Sequence, residues 1–255
     1  MAFTSNTPEE DVLLRARISD ACHLCELRSC PRFVGFLDEH RQAVARAVLH
    51  EKGHRDFLFY GGYEGAERVI LGVFPDFLPP DPSTFPLVAL RFSYRRSATL
   101  THRDFLGTIL SCGVRREVVG DILCEEGHAV VFVAEDIASF VAESVTKVGG
   151  EGVTVEYPYT GQVTAHHTFA EIADTVASPR LDAVVKAALR VSREEAAKRI
   201  EAGFVSLNHL PCLAVSATVK EGDTLSVRGG GRFLVDAVGP QTKKGRWVLR
   251  LRKYL

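Results

Sequence analysis

This sequence predicts an α+β protein that ends in a small basic module, and three observations carry that prediction. Segments with helical and strand periodicity alternate irregularly along the 255 residues, with no internal repeat and no low-complexity tract; such mixing points to an α+β fold. The charge is unevenly divided. A formal net charge of −1 conceals 15 Lys+Arg against 7 Asp+Glu from Ser178 onward, and 16 against 25 before it. That division suggests separate modules, one of them facing a polyanion. Within the basic third, two short helix patterns precede four short strand patterns.

The elements are read in order as follows. Pro8-Glu-Glu-Asp11 is an acidic helix start leading into Val12, Leu13, Leu14, Ala16 and Ile18, a placement the helix macrodipole favours. A second helix fits Asp38 to His50, with Ala43, Val44, Ala47 and Val48 at helical spacing and Gly53 beyond it. Phe57–Tyr60 and Arg68–Phe74 read as strands, the proline-rich stretch Pro75–Pro86 as loop, and Leu87–Tyr94 as a third strand. Thr101 caps a helix that runs to Cys112 and ends at Gly113. Val118–Ala134 reads as a hairpin turning at Glu125-Glu-Gly127, Asp136–Lys147 as a helix and Val153–Tyr157 as a strand. From Asp56 onward the order is mixed, strand–helix–strand–strand–helix–strand, which predicts an α+β sandwich of ferredoxin-like, RRM-like type.

Pro158–Ala177 is polar and without clean periodicity, and reads as a link between domains. After it come helices over Leu181–Arg190 and Ser192–Ala202, then strands over Phe204–Leu207, Thr224–Val227, Phe233–Val238 and Trp247–Leu251. The expected organisation is a helical N-terminal segment over 1–54, an α+β domain over 55–158, a linker over 159–177 and the basic domain over 178–255.

Composition bounds the function classes. Hydrophobic content of 46% and charged content of 25% suit a globular chain. No run approaches the roughly 20 apolar residues that span a bilayer, so no membrane partner is expected. The first residues lack the basic and apolar regions of a signal peptide. Six cysteines in such a chain read as reduced thiols. The expected location is the cytoplasm.

The basic module carries the chemistry. Arg180 stands at the start of the first helix. Ser192 caps the second, with Glu195 three residues on as a capping box, and Arg193, Lys198 and Arg199 lie on that helix. Free N–H groups at its start are suited to phosphate beside Arg193. Asn208-His209 reads as a turn. Arg228-Gly-Gly-Gly231-Arg232 would let backbone approach a ligand closely, and Lys243, Lys244, Arg246, Arg250, Arg252 and Lys253 extend the basic surface.

The pattern of Arg180-Leu-Asp182, Ser192-Arg193 with Ala196 or Ala197, Gly203, Val205, Asn208, then Gly222-Asp223, Leu225 and Val227-Arg-Gly229 resembles the αL, or S-four, RNA-binding domain. By that resemblance Arg180, Arg193 and Lys198 contact RNA backbone, while Asp182 and Asp223 are structural. The full set of RNA-binding residues expected is Arg180, Ser192, Arg193, Lys198, Arg199, Asn208, Arg228, Gly229, Arg232, Lys243 and Lys244. Further segments, among them Gly35–Arg41, Phe59–Arg68 and His102–Gly107, with Gly113, Arg115, Gly120-Asp-Ile122 and Phe132–Glu135, look like the bacterial YlmH-like family. In that family the αL domain follows a helical segment and an RRM-like middle domain. The resemblance implies a non-catalytic, ribosome-associated protein whose partners are ribosomal RNA and the large subunit. Transfer RNA is a second possible partner, a monomer is expected, and the implied role is quality control of stalled peptidyl-tRNA complexes.

Other constellations are weighed against plainer readings. Cys22-His-Leu-Cys25 with Cys30 has the start of a zinc pattern, but no second Cys/His pair follows it at ligand spacing. No metal or cofactor is expected. His102, Arg103 and Asp121 could suggest acid–base chemistry and read more simply as a helix start and a turn. Arg115-Arg116 could extend an RNA surface. The triple glycine lacks the lysine and strand-to-helix setting of a P-loop. The alternative function class is an RNA-modifying enzyme, pseudouridine synthase-like or methyltransferase-like, with its active site in the middle domain. Arg180-Leu-Asp182 superficially fits a synthase aspartate motif, yet it opens the RNA-binding module itself. No Gly-rich S-adenosylmethionine loop follows a strand.

Overall fold

The computed structural model describes residues 8–163, 169–208 and 210–254. They divide into two compact units, one within residues 8–163 and the other within residues 169–254.

The first unit opens with helix α1, Pro8–Arg28, which carries Glu9, Glu10 and Asp11 in its first turn and Arg28 in its last, both favourable against the macrodipole. Helix α2, Glu39–Lys52, starts where Asp38 accepts from the Arg41 N–H (2.9 Å) and stops at Gly53 in the left-handed region, φ 68°. These helices pack on a sheet of β1 (Arg32–Leu37), β2 (Phe57–Tyr60) and β3 (Val69–Val73) in antiparallel order β1-β3-β2. Leu14, Ile18, Cys22 and Cys25 of α1 meet Val48 and Leu49 of α2 in one apolar cluster. Strand β1 was not expected from the sequence. The boundary expected at residue 55 groups β2 and β3 with the middle domain; both pair instead within this N-terminal sheet, β3 with β1 and with β2.

The second layer of this unit is β4 (Leu87–Ser93), α3 (His102–Ser111), β5 (Val119–Glu125), β6 (His128–Ala134), α4 (Ala138–Ser144) and, after the small hairpin β7 (Lys147–Val148) and β8 (Glu151–Gly152), β9 (Thr154–Glu156). The sheet order is β5-β6-β4-β9 with every pairing antiparallel. That is the β-α-β-β-α-β ferredoxin-like arrangement expected from the sequence. The helix expected over Asp136–Lys147 is shorter: a 3-10 turn over Glu135–Ile137 leads into α4, and Lys147 begins β7.

Both faces of this sheet are buried. Val131 and Val133 of β6 join Leu90, Phe92, Phe105, Ile109 and Val141 under the helices. Their neighbours Val130 and Phe132 face the other way, against Phe36, Tyr63, Ile70, Phe74 and Phe85. The uninterrupted apolar run Ala129–Val133 follows, because period-two alternation disappears when neither face meets water. Two glycines permit the close approach. A Cβ on Gly62 would lie 2.4 Å from the Phe132 ring, and one on Gly120 2.5 Å from Phe36.

The C-terminal unit is a six-stranded antiparallel sheet, β10-β15-β14-β13-β11-β12, built from β10 (Phe169–Val176), β11 (Val205–Leu207), β12 (Leu210–Pro211), β13 (Thr224–Val227), β14 (Gly231–Gln241) and β15 (Trp247–Tyr254). Helices α5 (Leu181–Leu189) and α6 (Arg193–Glu201) share its core, with Leu181, Val184, Val185, Ala196 and Ile200 against Val205, Leu225, Val227, Phe233, Leu249 and Leu251. Residues 169–176, expected to be linker, pair along their whole length with β15, from Phe169–Tyr254 to Val176–Trp247. An edge strand buries little, and in β10 Val176 alone is fully buried; the apolar signal was correspondingly weak.

Candidate nucleic-acid interface

The site begins with a buried carboxylate. Asp182, in the first turn of α5, is 3% exposed, and its two oxygens accept from Arg180 Nε (3.2 Å) and Arg193 Nε (2.7 Å). One acid at the base of the helix pair therefore orients two guanidiniums from different elements. Both remain open to solvent, with side chains 41% and 61% exposed. Burial pushes the Asp182 carboxyl up, but the hydrogen bonds and charges of Arg193 and Arg180 outweigh it and hold the group below the ordinary aspartate range. The backbone at the start of α5 is already satisfied, since Leu181 N–H donates to Ala217 O (2.8 Å) and Asp182 N–H to Val215 O (3.2 Å). The start of α5 consequently offers side chains and few free amides.

At α6 the Ser192 hydroxyl accepts from the Glu195 N–H (3.1 Å). The reciprocal half of the expected capping box gives way to another contact: the Glu195 carboxylate accepts from Arg199 Nε (2.9 Å). Lys198 pairs with Glu194 (2.8 Å) and is 66% exposed. Such surface i,i+4 pairs are worth only about 0.3–0.5 kcal/mol, so a phosphate can replace the carboxylates at little cost.

The remaining expected residues fall into three places. Asn208, left-handed at φ 50°, is a structural clamp. Its side chain donates to Asp223 Oδ1 (2.9 Å) and accepts from the Thr224 N–H (3.0 Å), while Asp223 also accepts from the Lys220 N–H (2.7 Å). The neighbouring His209 lies outside the described residues. Arg228, Gly229 and Arg232 flank the β13–β14 turn. Gly229 is left-handed at φ 74°, and the Arg232 guanidinium lies 4.2 Å over the Tyr254 ring. Lys243 and Lys244 sit exposed beyond the far end of β14. Eleven strand residues separate them from the Gly229 turn, roughly 35 Å, so one compact site does not hold all eleven positions.

Phe204 was read from sequence only as the first residue of a strand. It is 40% exposed, with the Arg228 guanidinium 5.2 Å over its ring. Its place directly after the helix-ending Gly203 and before the buried Val205 was the one available hint.

In the other unit, the Asp121 weighed for catalysis ties neighbouring groups together. Asp121 accepts from the Tyr63 hydroxyl (2.8 Å), Glu67 N–H (2.7 Å) and Arg68 N–H (3.1 Å). The Tyr63 phenol is pushed far up by burial and then by Asp121. Arg116 turns inward to Val119 O and Gly120 O, and burial followed by the Arg68 charge brings it down to about 10. Arg115 alone of that pair faces solvent. Cys22 and Cys25 point into the core, where Cys25 Sγ donates to Val73 O (3.5 Å), and burial raises both thiols. Among the described residues no group of three or more His, Cys, Asp or Glu could hold a metal, and no helix is long and apolar enough to cross a membrane.

Residues 80–160, spanning β4 to β9, match a family model described as a putative RNA-binding domain in YlmH. Residues 179–225 match the S4 domain model, a match that stops short of β14 and β15. A Bacillus subtilis (strain 168) protein described as ribosome-associated protein quality control protein P2 is 34% identical over 220 residues, covering 85% of this chain and 84% of that one. Among solved structures, the cell division protein ylmH from Streptococcus pneumoniae is similar with a TM-score of 0.52 at 19% identity, covering 61% of this chain and 94% of that one. At that identity the likeness is one of fold alone.

Proposed function

This chain belongs to the YlmH-like family of RNA-binding proteins with a C-terminal S4 domain, and from that premise we propose that it is a non-catalytic adaptor gripping structured RNA on the ribosome. Its partners in this reading are ribosomal RNA of the large subunit and the transfer RNA held there. It acts as a cytoplasmic monomer in the quality control of stalled peptidyl-tRNA complexes.

The observation that carries the reading is the Arg180–Asp182–Arg193 arrangement. Forked guanidiniums are suited to phosphate oxygens, and anchoring both on one buried carboxylate lowers the entropy lost on binding. The α6 N-terminus beside Arg193 adds the favourable end of a helix dipole. Support for the non-catalytic part comes from Asp121, which is 9% exposed and held by three donors of the protein itself; a general base must reach substrate.

The test is an Arg180→Ala, Arg193→Ala double variant of the full chain titrated with ribosomal RNA fragments across salt. The variant should stay folded, bind far more weakly, and have a salt slope lower by about 2, one for each lost phosphate contact. Unchanged affinity would refute the site assignment. Absence of the wild type from large-subunit fractions on low-salt gradients would refute ribosome association.

A further inference from the structure

We propose that Phe204 and Arg228 form a base-stacking subsite, which takes an unpaired nucleobase of the RNA whose backbone the Arg180–Arg193 pair holds. The proposal rests on the RNA-binding reading above and goes beyond it. That reading uses charge alone and gives no account of an aromatic ring on the surface of the basic module.

Phe204 follows the last turn of α6, its N–H donating to Arg199 O (2.9 Å) and its carbonyl accepting from the Arg228 N–H (2.8 Å). These two backbone bonds fix the ring between helix and sheet. The Arg228 guanidinium, 5.2 Å from the ring centroid, holds it by a cation–π contact. Even so Phe204 is 40% exposed. The apolar ground continues beside it, because Leu213, 62% exposed, has its Cδ2 3.8 Å from where a Gly203 side chain would begin. Two large apolar side chains exposed side by side form a patch, and it is a patch, more than a single exposed residue, that marks a contact surface.

The surroundings select the occupant. Arg193, Lys198 and Arg199 line the helix leading to Phe204, and Arg228 covers it. Cations beside an apolar ring favour a ligand that is itself a polyanion with flat faces. A nucleobase meets the ring with its π-face and the guanidinium with its edge or its phosphate. The nine residues of α6 set the subsite roughly 13 Å along the helix axis from the Arg180–Arg193 pair, which leaves room for single-stranded RNA to connect them. The base must be unpaired, since a duplex keeps its faces stacked internally.

The experiment uses the full chain and two RNA probes: a hairpin with a six-nucleotide purine loop, and the same stem closed as a blunt duplex. Phe204→Leu should weaken hairpin binding roughly tenfold, the scale of one lost base–aromatic stack, and leave duplex binding unchanged. Phe204→Tyr should restore the hairpin. Because Trp247 is the sole tryptophan, Phe204→Trp in a Trp247→Phe background reports directly, and its fluorescence should be quenched by the hairpin and not by the duplex. Equal losses on both probes, or no loss on either, would overturn the subsite and leave the arginine-centred reading standing. If RNA affinities survive Phe204→Leu while sedimentation with ribosomal particles is lost, the patch takes protein and the proposal is wrong. A wild type that binds neither probe would remove the proposed function itself, and this subsite with it.

Discussion

Asp182 touches no ligand in the proposed complex, yet it sets the geometry of the residues that do. With both oxygens engaged by guanidiniums, an Asp182→Asn variant keeps the shape and loses the charge, leaving one amide oxygen to orient two arginines. The expected cost is about 1–2 kcal/mol of stability, below that of a fully buried pair because both arginines are solvated. Affinity for RNA should fall several-fold as the guanidiniums lose their common anchor. The pH dependence follows from the direction of the shift. A carboxyl held below its unfolded range stabilises the fold above the unfolded value of about 3.9, and that stabilisation is lost as pH falls through the folded value. Wild type and Asp182→Asn should therefore differ in urea midpoint at pH 7, and the gap should narrow below about pH 3.9. A gap that is constant down to pH 2 would exclude the charge as its source. At this scale the sequence was partly legible. Arg180 and Arg193 were readable as cations on helix starts, but ten residues lie between Asp182 and Arg193, and only the folded turn through Arg190, left-handed at φ 55°, puts them on one acid. Asn208 was legible as a turn residue, but its bonds to Asp223 and Thr224 were not, because an Asn that clamps its own sheet and one that meets a base look alike in a string.

Between elements, legibility followed how local the stabilising contacts are. Helices α2, α5 and α6 declare themselves by caps and by spacing within a dozen residues. Strand β10 does not, because its partner β15 lies more than seventy residues further on and Glu171, Ala173 and Asp174 are exposed on both its faces. Strand β1 was masked by Gly35 in the middle of a short apolar run; a Cβ there would come 2.9 Å from Glu117 O. That β10 is part of the domain, and no tether, is testable. Deleting residues 169–176 should lower the denaturant midpoint of the C-terminal unit, since Val176 and Ile172 leave its core and a full edge of β15 loses its hydrogen bonds. A loss of about 2 kcal/mol or more is expected from apolar area alone, measured by urea unfolding followed at Trp247, which pairs with Val176. A true linker could be shortened with no such change, and an unaltered midpoint would restore that view. Arg246, which donates to Thr175 Oγ1 (2.9 Å) and to its carbonyl, should lose its order in the same deletion.

For the N-terminal unit as a whole, the stacking of two sheets decides which surfaces can meet RNA. The ferredoxin-like sheet presents one face to α3 and α4 and the other to β1-β3-β2. A base can stack on a sheet of this kind only where the face is open, so any RNA contact by this layer must come from its loops and helix ends, where Arg95, Arg96, Arg103 and Arg115 are exposed. Asp121 joins the two layers by holding Tyr63 and the Glu67 and Arg68 amides. Replacing it with Ala takes the acceptor from the buried Tyr63 hydroxyl and from two part-buried amides, at an expected cost of about 3 kcal/mol. Because the donors lie in the connection between β2 and β3 and the acid lies on β5 of the other sheet, urea unfolding of Asp121→Ala should weaken both layers in one transition. The family match over residues 80–160 gives a sharper test of the same arrangement. Cut from the chain at those boundaries, the four-stranded sheet would expose Leu87, Ala89, Leu123, Val130 and Phe132 together, a contiguous apolar face of the sort that drives association. That fragment should self-associate and bind a hydrophobic dye, whereas a fragment of residues 8–163 should stay monomeric by light scattering. A monomeric, dye-silent 80–160 fragment that bound RNA through Val130 and Phe132 would show that the β1-β3-β2 layer is dispensable and would reopen the sheet face as an RNA surface.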